Sequence, residues 1–125
     1  MHLFRYIKGT LDLAITYRGP GRRLAIPIID TLRCYTDADW VGDKDKMRST
    51  SGTLVLLAGG AVSWISRLQS VAAQSTMEAE YIAASHSGRE LMFVQNHLGE
   101  LMEKPLDQPS PMYCDNQSAI SSVLL

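Results

Sequence analysis

A chain of 125 residues is the length of one domain and can bury a single modest core. Its 46% hydrophobic and 20% charged residues exclude a disordered chain, and a formal net charge of −1 excludes a global basic footprint for nucleic acid. No run of about 18 apolar residues suggests a membrane span, and Arg5, Lys8 and Asp12 interrupt any signal-like stretch at the N-terminus.

Residues 2–8 have helical spacing, with Leu3, Phe4 and Ile7 on one side and Gly9 as the stop. Leu11, Leu13, Ile15 and Tyr17 alternate, which predicts a strand over Leu11–Tyr17. The run RGPGRR at 18–23 is the best boundary in the chain, and Pro27 demotes LAIPII (24–29) to an edge or linker. Thr31 to Thr36 reads as a strand running into Asp37, followed by a polar, turn-rich stretch at 42–52. Thr53–Leu57 and Val62–Ser66 form a predicted hairpin around Ala58-Gly59-Gly60. Arg67–Gln74 leads into a long helix over Thr76–Glu103, and Pro105 and Pro109-Ser110-Pro111 then mark a loop. Met112–Cys114 begins a fourth strand, and the residues after Asp115 read as the first turns of a helix. The order β-β-β-α-β-α predicts an α+β fold with a mixed sheet, since a hairpin is antiparallel and a helical crossover pairs strands in parallel.

Cys34 and Cys114 are the two cysteines; no CxxC pair occurs, and His2, His86 and His97 do not cluster with them. They are expected as reduced, buried thiols of an intracellular protein. Strand parity turns each away from the neighbouring aspartate.

The long helix distinguishes two glutamates. Ser75-Thr76-Met77-Glu78 fits the capping box S-x-x-E, which accounts for Glu78. Met77, Tyr81, Ala84, Gly88, Leu91, Leu98 and Met102 fall on one predicted core stripe, and Glu80 lies within it. A carboxylate on a buried face needs a partner: an arginine, a proton or a metal. Asp37 and Asp115 each end a predicted strand, where open α/β sheets place their sites. The plainer readings are an N-cap for Asp115 and a solvated acidic turn for Asp37, Asp39 and Asp43. Taken together, Asp37, Glu80 and Asp115 suit a magnesium-type ion, and two such ions about 4 Å apart can activate water and stabilise a leaving oxygen of a phosphodiester.

The motifs YTDADWVGD (35–43), MRSTSG (47–52), SWISRLQ (63–69), QSTMEAEYIAAS (74–85) and YCDNQSAI (113–120) resemble, in order and spacing, the ribonuclease H domain of copia-type long-terminal-repeat retrotransposon Pol polyproteins. HLFRYIKGTLDLAITY (2–17) resembles the end of the reverse-transcriptase/connection region that precedes that domain. The resemblance implies a tail of that region at 1–18, a linker at 19–30 and a ribonuclease H-like domain at 31–125. It implies hydrolysis of the RNA strand of RNA–DNA hybrids by a two-metal mechanism with Mg2+ or Mn2+. Carried over by motif, the catalytic and metal-binding residues are Asp37, Glu80 and Asp115. Lys44, Lys46 and Arg48 are the nearest basic cluster for phosphate contacts.

The family pattern also has a fourth aspartate on a later segment, after a fifth strand. No residue here matches it, because the sequence stops at Leu125 inside the helix after the fourth strand. The expectation is therefore a domain incomplete at its C-terminus, with weakened metal binding. It would associate with other Pol segments or with itself through an unpaired fourth-strand edge. The alternative is a catalytically inactive remnant, or a domain reused for nucleic-acid or protein binding. A transposase or integrase core is disfavoured, because there the glutamate follows the fourth strand.

Overall fold

The structure is a computed structural model that describes residues 2–17, 32–43, 45, 47–104, 106 and 108–123. Lys44, Lys46 and the expected linker at 19–30 lie outside the described residues. The elements are α1 (His2–Gly9), β1 (Arg33–Asp43), β2 (Arg48–Leu57), β3 (Gly60–Leu68), α2 (Thr76–Leu101), β4 (Met112–Tyr113) and α3 (Gln117–Val123).

The predicted strand at Leu11–Tyr17 does not form: residues 13–17 carry no regular structure, and Leu11, Leu13, Ile15 and Tyr17 are exposed. Alternation alone makes no strand, because the backbone must also find a ladder partner. Here the segment meets β3 only through side chains. Tyr17 donates its hydroxyl to the Ala61 carbonyl at 2.6 Å. A Cβ added at Gly60 would stand 2.6 Å from the Tyr17 ring, so a glycine is needed there for close approach.

The sheet has the order β3-β2-β1-β4, with β1–β2 and β2–β3 antiparallel and β1–β4 parallel. This is the mixed sheet of an α+β, ribonuclease H-like fold. Strands β1, β2 and β3 run further than the hydrophobic runs suggested, and two devices set their register. Ala58 (φ 52) and Gly59 (φ 81) both take left-handed backbone, as a two-residue hairpin turn between right-twisted strands requires. At the other end, pairing jumps from Asp39↔Thr50 to Asp43↔Arg48. The bulge puts Val41 at φ 52 and lets its N–H donate to Ser49 Oγ at 3.2 Å.

Parity sorts the sheet into two faces. Leu32, Cys34 and Thr36 of the β1 side, and Ser49, Ser51, Thr53 and Val55 of β2, are buried beneath α2. The helix meets them with Ala79, Glu80, Ala83, Ser87 and Leu91. This differs from the predicted stripe: Met77, Tyr81 and Met102 are exposed, and the core face is centred on small residues at i, i+4 and i+8. Small side chains let the helix lie close to a sheet face that is itself rich in hydroxyls. Thr53 and Ser87 share a buried 2.7 Å hydrogen bond, and the buried Gln69 side chain donates to Ser51 Oγ and the Ala79 carbonyl, each at 2.9 Å. On the opposite face, register aligns Trp64, Leu54, Tyr35 and Tyr113 in one exposed row across all four strands.

Overpacking separates the two versions of the helix face. Ala83→Leu is expected to lower unfolding free energy by about 1–3 kcal/mol, whereas Met77→Ala is expected to change it by about 0.5 kcal/mol. Urea denaturation of both variants checks this, and a larger loss for Met77→Ala overturns the assignment.

Candidate active site

Three elements bring acidic residues to one place. Helix α2 starts where Ser75, in extended backbone, accepts a hydrogen bond from the Glu78 N–H at 3.1 Å. Glu78 in turn accepts from the Gln74 N–H at 2.7 Å. This is a capping box whose return bond falls one residue before the cap. Glu78 is thereby engaged at the helix start, as expected, and Glu80 turns towards the sheet.

Glu80 is 6% exposed. Its Oε1 accepts from the Ala38 N–H at 3.2 Å, and its Oε2 accepts from Cys114 Sγ at 3.8 Å. Asp115 lies two residues beyond the end of β4. The parallel pairing Cys34↔Met112 and Tyr35↔Tyr113 ends two residues before Asp37 on β1 and two before Asp115 after β4, and both charges act on Glu80. The rings of Tyr35 and Tyr113 stack with centroids 5.0 Å apart, which fixes that register from the side-chain level.

Ligand atoms of Glu80, Cys114 and Asp115 all lie within 4.8 Å of one another. Asp37 is outside that group, and its charge still acts on Glu80. Burial pushes the Glu80 carboxyl up, and the charges of Asp37 and Asp115 push it further, against the Ala38 N–H bond that favours the carboxylate. Glu80 is the buried member of this acidic region, and Asp37 and Asp115 are exposed. Carboxylate oxygens of Glu80 and Asp115 lie near enough to share one hard divalent cation, the chemistry such donors fit, while Asp37 stands outside that group.

Several expectations change. Asp37 does not end its strand, because β1 continues to Asp43. Asp115 is not the cap of α3. Asn116 Oδ1 accepts from the Ala119 N–H at 2.9 Å, so Asn116 does the capping and the Asp115 carboxylate is left to the site. Cys114 was expected buried and turned away from the aspartate; it is half-buried and joins the acidic group. The reason is that β4 ends at Tyr113, so strand parity no longer governs the next residues. Burial pushes its thiol up, with Glu80 and Asp115 adding to the rise, which keeps it a hydrogen-bond donor to Glu80. Cys34 does match expectation. It is a free, buried thiol beneath α2, pushed up to about 11 by burial and by the Glu90 charge. Arg48 opens β2, half-buried, opposite Asp43.

No protein-family model matches the chain. It is 43% identical over 119 residues to the retrovirus-related Pol polyprotein from transposon TNT 1-94 of Nicotiana tabacum, covering 94% of this chain and 8% of that protein. Similar matches, 36% and 37% identical over 117 residues, link it to the retrovirus-related Pol polyproteins from transposons RE1 and RE2 of Arabidopsis thaliana. These cover 94% of this chain and 7% and 8% of those proteins. The chain is thus homologous to a short segment of retrovirus-related Pol polyproteins and spans less than a tenth of their length.

The raised Glu80 carboxyl gives a signed pH dependence. The folded state binds this proton more tightly than the unfolded state, whose carboxyl titrates near 4.5. The associated stability is fully present below that value and is lost as pH rises through the raised folded value. Glu80→Gln is expected to remove this fall and to make the metal-free protein more stable than wild type at pH 7. Thermal melts from pH 4 to 8 check it, and parallel profiles for the two proteins would sink the assignment.

Proposed function

We propose that this chain is a segment of a copia-type retrotransposon Pol polyprotein carrying a ribonuclease H-like domain, and that its chemistry is hydrolysis of the RNA strand of an RNA–DNA hybrid. The observation that carries the reading is the close approach of Glu80 on α2 to Asp115 after β4, with the charge of Asp37 on β1 acting on Glu80. Homology to Pol polyproteins over 94% of the chain supports it. So does the agreement between the buried helix glutamate and the one chosen by motif.

Bound Mg2+ or Mn2+ would supply an activated water and charge neutralisation at the leaving oxygen. The chain's own residues prepare that site. The Ala38 N–H and the Cys114 thiol orient the two oxygens of Glu80. Asn116 takes over the capping of α3 and so frees Asp115. Asp37 is fixed by its pairing with Gly52 of β2, two residues beyond the β1–β4 contact. The raised carboxyl of Glu80 means that metal and proton compete there, so binding strengthens as pH rises. The partner would be an RNA–DNA hybrid, selected through 2′-hydroxyl and minor-groove contacts, with Arg48 at the start of β2 and Lys44 and Lys46 just before it as phosphate contacts.

The test is incubation of the purified chain with an RNA–DNA hybrid and Mg2+, then Mn2+, beside Asp37→Asn. Cleavage of the RNA strand by wild type and its loss by at least about 100-fold in Asp37→Asn is the expected result. Absence of cleavage with both ions overturns autonomous activity and leaves the reading of an inactive remnant. Cleavage that survives Asp37→Asn assigns the activity to something other than this site.

A further inference from the structure

A cavity lies on the α2 side of the sheet, and none of its lining residues belongs to the acidic group. It has a volume of about 290 Å³ and is lined by Ser51 and Thr53 of β2, Ile65 and Arg67 of β3, and His86, Arg89, Glu90 and Phe93 of α2. Its hydrogen-bonding character is one-sided. Arg67 and Arg89 make no ion pair among the described residues, and each guanidinium presents five N–H donors and no acceptor. At the floor, Ser51 is 3% exposed, and its oxygen accepts from Gln69 Nε2 at 2.9 Å. That bond uses the oxygen and leaves the Ser51 hydroxyl proton available to donate. Beside it, Thr53 is tied to Ser87. The one acidic side chain, Glu90, accepts from Ser63 at 2.5 Å. The cavity therefore carries two fixed positive charges, one engaged carboxylate, a half-buried imidazole and a buried free donor. An oxyanion with several acceptor oxygens is the ligand that such a donor-rich, acceptor-poor cavity fits.

We infer that this cavity binds a phosphate group, with Arg67 and Arg89 as the clamp and Ser51 as the floor donor, and that the phosphate belongs to a nucleic-acid backbone. The second part rests on the function proposed above. Nine helical positions separate Glu80 from Arg89, about 13 Å along the axis of one rigid helix. Nine positions also turn Arg89 about half a turn round the helix from Glu80, so the cavity and the acidic group flank α2 on opposite sides and one duplex meets both only by lying across the helix. The site counters the net charge of −1: affinity for a polyanion comes from a local clamp rather than from an overall basic surface.

The test is fluorescence anisotropy of a labelled RNA–DNA hybrid in EDTA, across a salt series, where neither cleavage nor metal at the acidic group contributes. The double variant Arg67→Gln/Arg89→Gln is expected to weaken binding about tenfold at 0.1 M salt and to reduce the slope of log K against log salt by about 2, the value for two lost phosphate contacts. Ser51→Ala is a smaller change for use if the double variant does not fold, and is expected to weaken binding about threefold with the slope unchanged. Inorganic phosphate forms a separate arm, read by NMR of the arginine side-chain N–H groups. Shifts at Arg67 and Arg89 with free phosphate, combined with unaltered hybrid binding by the double variant, overturn the nucleic-acid part. No shifts and no change in hybrid binding overturn the site. Loss of hybrid binding in the double variant of a chain that fails to cleave upholds the cavity while the proposed activity falls.

Discussion

The close approach of α2 to the sheet is the constraint on which the rest of the molecule depends. A helix that meets a sheet with Ala79, Ala83 and Ser87 can come near enough for a glutamate on its second turn to bond a strand N–H. Larger residues on that face would hold the helix off, and Glu80 would lose Ala38. The same closeness explains the unusual polarity of the buried layer. Ser49, Ser51 and Thr53 occupy positions where a thicker core would carry branched apolar residues, and their hydroxyls bond the Val41 N–H, Gln69 and Ser87 respectively. Shape and hydrogen bonding thus do work that the modest apolar cluster of Leu32, Cys34, Val55 and Leu91 does not do alone.

The two thiols illustrate how position on the sheet decides chemistry. Cys34 lies mid-strand, facing the helix, with burial holding it as an inert thiol. Cys114 lies one residue beyond a strand end, where the chain is free to turn its side chain towards Glu80. The second arrangement makes Cys114 a positioning residue for the acidic group, and its raised thiol suits it to donate rather than to bind metal as thiolate.

The element order, the mixed sheet, the hairpin at Ala58–Gly60 and the choice of Glu80 over Glu78 were all readable from periodicity, capping chemistry and motif. What was not readable shares one physical cause. Hydrophobic patterns report burial, and several features here are set by backbone partners instead. Leu11–Tyr17 alternates but finds no ladder. Residues 48–52 look like loop but pair with β1, across a bulge, and from Thr50 with β3. The core face of α2 is made largely of small residues with Leu91, whereas Met77, Tyr81 and Met102 of the predicted stripe are exposed. Asn116 could have been found: an Asn three residues before Ala119, at the start of a helical pattern, is a cap signal. The convergence of Cys114 with Glu80 could not, since it depends on where β4 stops pairing.

The stacked pair Tyr35–Tyr113 closes a strand contact only two residues long. Short pairing gives the β4–α3 segment a low cost of local opening relative to the β1–β2–β3 sheet, so its amides should exchange earliest among the sheet strands. Asp115 rides on that segment. Opening therefore removes one carboxylate from the group while Asp37 and Glu80 stay in place on the more stable elements. Anything that Asp115 helps to hold shifts the opening equilibrium by mass action. Order at the fourth strand and occupancy of the acidic group are then one thermodynamic variable, which makes the weakest strand of the sheet the one that senses its ligand.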